Sequence, residues 1–144
     1  MAESGQTGNR IVSLTILGEP ASKANSRRLV TIGGRPRFIK SQKALDYIKS
    51  LKEQVKPLPT LISGPIHVDL EVYYASLRPD LDESVILDAL QGLIYENDRQ
   101  VVSKHVVRGL SKTSPRSHVH VTPLEGLPLQ DVHRRDRPAE ADQD

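Results

Sequence analysis

The sequence predicts an α+β domain, a small mixed β-sheet carrying two main helices. The longest strand pattern decides the kind of sheet. Ile66, Val68, Leu70, Val72 and Tyr74 alternate strictly with His67, Asp69, Glu71 and Tyr73, so one face is buried and the other polar, unlike the wholly apolar strands of a sheet covered on both sides. The order of patterns decides the class. The apolar period switches back and forth to give strand, hairpin, helix, strand, helix, strand, strand, with no internal repeat. Size decides the number of domains: 144 residues, 37% of them hydrophobic, with no Trp and one Phe, make one domain with a modest core. That domain is expected over residues 11–124, between a polar, flexible 1–10 and a disordered tail, 125–144, of few apolar residues and mixed charge.

In chain order, IVSLTIL places Val12, Leu14 and Ile16 on one face of a strand ended by Gly18-Glu19-Pro20. A basic loop, ASKANSRR, leads into RRLVTIGGRPRFIK. This is a hairpin around Gly33-Gly34, since a tight turn needs positive φ, with Pro36 confining its second arm to an edge. Ser41 is placed to cap a helix carrying Ala44, Ile48, Leu51 and Val55 on its core side and a basic, wet opposite side. Pro57 and Pro59 stop it, and a linker runs to Gly64-Pro65 and the long strand. After an acidic segment come VVSKHVVRGL and SHVHVTPL, both strands. His67 lies on the polar side of its strand, and His118 and His120 share a face. Two histidines at that spacing can bind zinc, but no acidic or cysteine partner is near in sequence, so surface or structural roles are expected.

The absence of cysteine excludes disulfides and thiolate metal sites and suits a reducing compartment. No basic-then-apolar leader opens the chain and no apolar run approaches the roughly 18 residues of a membrane span, so a cytoplasmic, non-membrane protein is expected. Net charge is only +2, but between Arg10 and Lys56 eleven bases face three acids, a net of +8. That is a candidate polyanion footprint.

The acids concentrate in Arg78 to Gln100, where Asp80, Asp82, Glu83, Asp88, Glu96 and Asp98 make up six of the chain's eighteen. In an extended stretch residues two apart point the same way, so Asp80 and Asp82 can aim both carboxylates at one point. Hard oxygens in that arrangement suit Mg²⁺ or Mn²⁺. A helix from about Asp82 to Leu90 travels roughly 12 to 15 Å, and the return from Gly92 to Asn97 spans roughly 20 Å, enough to bring Asp98 back as a third ligand. The same residues have structural uses: Asp82 as a helix N-cap, Glu83 favoured in the first turn, Asp98 in an Asn-Asp turn, Asp88 as a partner for a base. The residues alone leave both readings open.

The string RPDLDESVILDALQGLIYENDRQVV resembles the central motif of the RusA family of Holliday junction resolvases, small phage-derived Mg²⁺-dependent endonucleases of DNA recombination and repair. That motif has Asp-x-Asp-Asn, a lysine soon after, Asp-Ala-Leu, an apolar turn, and Asp-Asp before Gln-Val. ILGEPASKANSRR resembles the family's first strand and the basic loop after it, and the likeness runs from about Ile11 to Val121. It implies a RusA-like fold, a metal held by Asp80, Asp82 and Asp98, and a homodimer that offers two sites to a four-way junction or related branched DNA. Asn97 takes the place of the other member of the Asp-Asp pair, and two further departures matter. Glu83 stands in place of Asn, where it can add a carboxylate, and the family's lysine, counted from Asp82, falls on Ile86. No lysine lies between Arg78 and Gln100, so Lys23, Arg78 and Lys104 are the candidates to replace it.

The implied activity is metal-assisted hydrolysis of a phosphodiester, catalysed by Asp80, Asp82 and Asp98. Lys23, Arg27, Arg28, Arg35, Arg37, Arg78 and Lys104 would contact DNA, with a steep salt dependence. The missing lysine also admits a catalytically weakened protein that binds branched DNA without cutting it.

Overall fold

The computed structural model describes residues 11–22 and 27–124. The expectations for the two termini, and Lys23, lie outside the described residues. The elements are β1 (Val12–Leu17), β2 (Arg27–Ile32), β3 (Arg35–Lys40), α1 (Gln42–Gln54), β4 (Ile66–Tyr74), α2 (Ser84–Ala89), β5 (Val101–Leu110) and β6 (Arg116–Pro123), with a single 3₁₀ turn at Asp98–Gln100 before β5. This is the α+β order expected from the sequence. Four strands form one mixed sheet in the order β1-β6-β4-β5, and β2 and β3 form a separate two-stranded ribbon. β4 is antiparallel to β6 and parallel to β5.

Alternation along β4 builds the two layers. Ile66, Val68, Leu70, Val72 and Tyr74 are buried, with Val119 and Val121 of β6 and Ile16 of β1 beside them. α1 and α2 cover this face. Ser41 caps α1 by accepting a hydrogen bond from the Ala44 amide at 3.1 Å, which satisfies one of the orphan donors of the first turn. Ala44, Leu51 and Val55 enter the core as expected; Tyr47 is buried there too, and Ile48 only partly. α2 is shorter than expected, beginning at Ser84 after an N-cap at Glu83 and ending at Ala89, and near its end the Leu87 carbonyl accepts from the Tyr95 hydroxyl at 2.5 Å. No helix among the described residues is long and apolar enough to cross a membrane.

The other face of the sheet is polar, and its side chains bond across strands. Ser13 and Thr15 of β1 reach His120 and His118 at 2.9 and 3.1 Å, and His67 reaches Ser103 at 2.6 Å. These histidines therefore serve the sheet surface. Gly109 pairs with Tyr73 across β4 and β5, and the phenol ring lies over the space where a side chain would be: an added Cβ would meet two ring carbons at 2.5 Å. The ring is held by the Arg116 guanidinium, 4.5 Å from its centroid, and by the edge of His118.

Gly109→Ala should therefore lower stability by about 1 to 3 kcal/mol through overpacking, read as a lower urea midpoint. Adding Tyr73→Ala should recover part of the loss, because the clash then has no second partner.

Candidate functional site

Parallel strands cannot be joined by a hairpin and need a crossover. The crossover from β4 to β5 contains the whole acidic segment. β5 is an edge strand. On the face it shares with the buried side chains of β4, the registers place Lys104 beside Val68 and Arg108 beside Val72. Both cations rise to the crossover, Arg108 donating to the Pro79 carbonyl and Lys104 pairing with Glu83 at 2.5 Å. Residues 79–83 are thus laid along β5 from the level of Arg108 to that of Lys104, toward the strand start that Asp98 immediately precedes.

Tyr74 fixes the same segment from below. Its hydroxyl donates to the Asp80 carbonyl and accepts from the Asp82 amide, each at 3.3 Å. Burial raises the pKa of this phenol above its ordinary value, against a smaller lowering by the Asp82 backbone bond. It therefore keeps its proton at neutral pH and holds both contacts.

The carboxylates meet different surroundings. Asp80 is exposed and lines a concavity of about 190 Å³ with Glu19, Lys43 and Arg78. Glu19 is anchored there by accepting from the Ala75 amide at 2.8 Å. Asp82 is buried, 6% exposed, and its Oδ1 accepts from the Ser84 amide and hydroxyl at 3.0 and 2.7 Å. Asp82 thus makes the contacts of a local turn one residue before the helix, whose N-cap position falls on Glu83. Asp98 is exposed and shares a second, open concavity of about 430 Å³ with Glu83, Lys104 and Arg99. Among the described residues no three His, Asp or Glu side chains stand close enough to hold a metal. The donor types suit a hard cation, since carboxylate oxygens are its usual ligands, but of the three aspartates only Asp82 has a fixed carboxylate, with Asp80 open to solvent at one concavity and Asp98 at the other.

Asp98 is positioned by glutamines that the sequence patterns did not single out. Gln91 accepts from the Asp98 amide at 2.8 Å and donates to Asp88 at 2.9 Å. Gln100 is buried and uses its whole amide, accepting from the Glu96 and Asn97 amides and donating to the Ile62 and Gly64 carbonyls at 2.8 to 2.9 Å. Asn97 accepts from the Arg99 amide and closes a capping box with Gln100, so its side chain serves the turn. The Asn-x-x-Gln spacing was the available signal. Asp88 pairs with Lys40 at 3.3 Å. Ile86, the counted position of the family's lysine, is 0% exposed.

Of the basic residues named from sequence, Arg78 and Lys104 lie at the two concavities, and Arg27, Arg28, Arg35 and Arg37 are exposed on the β2–β3 ribbon. Lys43 and Arg108 join the site without having been singled out. Their positions depend on packing between elements, which no local pattern carries.

The sequence model described as Endodeoxyribonuclease RusA matches residues 18–122. The uncharacterized protein YqaN of Bacillus subtilis (strain 168) is 27% identical over 137 residues, covering 76% of this chain and 94% of that protein.

Tyr74→Phe leaves the Asp80 carbonyl and Asp82 amide without their shared partner, and should destabilise by about 1 to 3 kcal/mol, measured by urea unfolding. Tyr47, Tyr74 and Tyr95 all have pKa values raised by burial, Tyr47 to about 12. The native state holds these protons more tightly than the unfolded chain, so the tyrosines' contribution to stability should be constant below about pH 10 and fall as pH rises beyond it. Tyr74→Phe should make that alkaline fall shallower.

Proposed function

The chain belongs to the RusA endodeoxyribonuclease family, and from that premise we propose that it is a metal-dependent endonuclease that resolves four-way junctions or related branched DNA by phosphodiester hydrolysis. The observation that carries the reading is the second concavity, lined by Asp98, by Lys104 and by Glu83, which is the residue after Asp82 and is paired with the Lys104 ammonium. Asp80, Asp82 and Asp98 are the proposed ligands of Mg²⁺ or Mn²⁺, with Glu83 as an additional carboxylate. Bound there, the metal would supply an activated water and neutralise charge developing on the scissile phosphate.

The chain's own residues supply the rest. Tyr74 and Ser84 hold the Asp82 carboxylate and backbone, and Gln91 holds the Asp98 amide. Solvent-open Asp80 and Asp98 keep the side-chain freedom to turn toward a phosphate, whose oxygens and waters complete a magnesium shell. Lys104 takes the place of the family's lysine: a cation at position 86 would sit in the core, whereas Lys104 comes from the neighbouring strand, and Glu83, standing where the family has Asn, aims it. Its ammonium stabilises the leaving oxygen. Arg78 and the ribbon arginines grip flanking phosphates, so affinity falls with salt. Two copies presenting two sites match the pseudo-two-fold of a four-way junction, and the reaction belongs in the cytoplasm.

One observation favours a second reading. Lys104 is already paired with Glu83, and if DNA does not draw it away, the protein binds branched DNA without cutting it.

Asp82→Asn retains an Oδ1 for both Ser84 bonds while removing a charge, so it should abolish cutting of a synthetic four-way junction in Mg²⁺ or Mn²⁺ and leave binding in Ca²⁺ unchanged. Equal loss of binding would make Asp82 a structural residue. Lys104→Ala should lower single-turnover cleavage by about 100-fold with little change in affinity. A wild-type protein that binds junctions and nicks them under neither metal would establish the second reading.

A further inference from the structure

The β2–β3 ribbon is set apart from the main sheet and carries more exposed apolar surface than its role in the fold requires. Phe38, the chain's one phenylalanine, is 73% exposed, the most of any large hydrophobic residue among those described, and Leu29 is 60% exposed. The two are direct partners across the ladder, so they stand side by side on one face. Val30 and Ile39, the partly buried residues of the ribbon, lie on the other face. The apolar pair therefore looks outward. Arg27 and Lys40 flank the pair on the same face, Arg28, Arg35 and Arg37 lie on the face of Val30 and Ile39, and no acid lies between positions 27 and 40. The tip turns tightly at Gly33 and Gly34, with φ of 59° and 78°. The root is tied to α2 by the Lys40–Asp88 pair, so the ribbon starts beside the candidate site.

We propose that this ribbon is an arm that grips branched DNA with its arginines and stacks Phe38, supported by Leu29, on the bases exposed at the branch point. The charge decides between occupants. An isologous contact through this pair would bring together two ribbons that each carry five cations and no acid, which like-charge repulsion opposes. Phosphates neutralise the same cations. A two-stranded ribbon also matches the width of a major groove. In linear duplex every base is covered by its neighbours, whereas a branch point presents ring faces at the discontinuity of stacking, where apolar side chains can dock. This inference rests on the reading that the chain acts on branched DNA, and does not require that it cuts.

The chain has no tryptophan, so Phe38→Trp introduces a single fluorescent reporter. Titrated in metal-free buffer with a synthetic four-way junction, its emission should be quenched in step with binding followed by mobility shift, and much less with linear duplex of the same sequence. Phe38→Ala should weaken junction binding by about tenfold, the size of one aromatic–base contact, and duplex binding by less than about twofold. Unchanged emission at saturating junction overturns the proposal, as does an equal loss on both DNAs. Dissociation of wild-type oligomers into monomers by Phe38→Ala, seen by sedimentation, would assign the pair to a contact between copies and also overturn it. Cutting by the wild type together with a silent indole in the Phe38→Trp variant refutes the arm alone. Quenching without cutting in Mg²⁺ or Mn²⁺ supports the arm and refutes the nuclease reading. No binding to junctions refutes both.

Discussion

One hydroxyl sets the geometry of the acidic segment. Tyr74 ends β4 with its ring wholly in the core, and its oxygen reaches both the carbonyl of Asp80 and the amide of Asp82. A backbone that leaves a strand and must still satisfy its polar groups away from water has few conformations open to it. Here the two contacts span the Asp-x-Asp pair, so the core of the protein dictates where those aspartates begin. Asp82 is then drawn inward to Ser84, and Asp80 is left outward beside Glu19, Lys43 and Arg78.

β5 completes the frame by an unusual use of an edge strand. Charges on the inward face of an edge discourage further strands from pairing there. Lys104 and Arg108 lie in the registers of buried Val68 and Val72, and rather than ending in solvent they fasten the crossover through Glu83 and Pro79. The same two side chains thus fix the connection and bring positive charge to a surface of carboxylates. Glu83, a departure from the family motif, and Lys104, a base on another strand, become intelligible together.

Much of this was legible in the sequence, and the limits follow from what a pattern can encode. Strict alternation from Ile66 to Tyr74 defined β4 to the residue, because each side chain's burial depends on its own position in the pleat. The Gly33-Gly34 turn and the Ser41 cap are local requirements, and both stand as the sequence implied. The acidic segment was visible as a cluster, but its division between two concavities was not, since that depends on which cations face it across the fold. Chain length allowed Asp98 to return toward the pair; the structure brings it into company with Glu83 and Lys104, while Asp80 faces the other concavity. Tyr47 escaped notice because a tyrosine at that phase of the helix is compatible with either surface. Gln100 escaped because a polar residue that saturates four backbone groups looks, in sequence, like any other glutamine.

The parallel pairing of β4 with β5 has a consequence for the life of the chain before it is folded. Such a pairing forms only after a long loop has been closed, and loop-closure entropy delays contacts of that kind relative to hairpins and helices. Asp98 and Lys104 reach the neighbourhood of the aspartates through that pairing. A nascent or partly unfolded chain therefore carries the acids and bases as separate, unassembled groups, and any hydrolytic capacity is withheld until the sheet is complete. On the proposed reading, the topology would itself hold back cutting until the chain has folded.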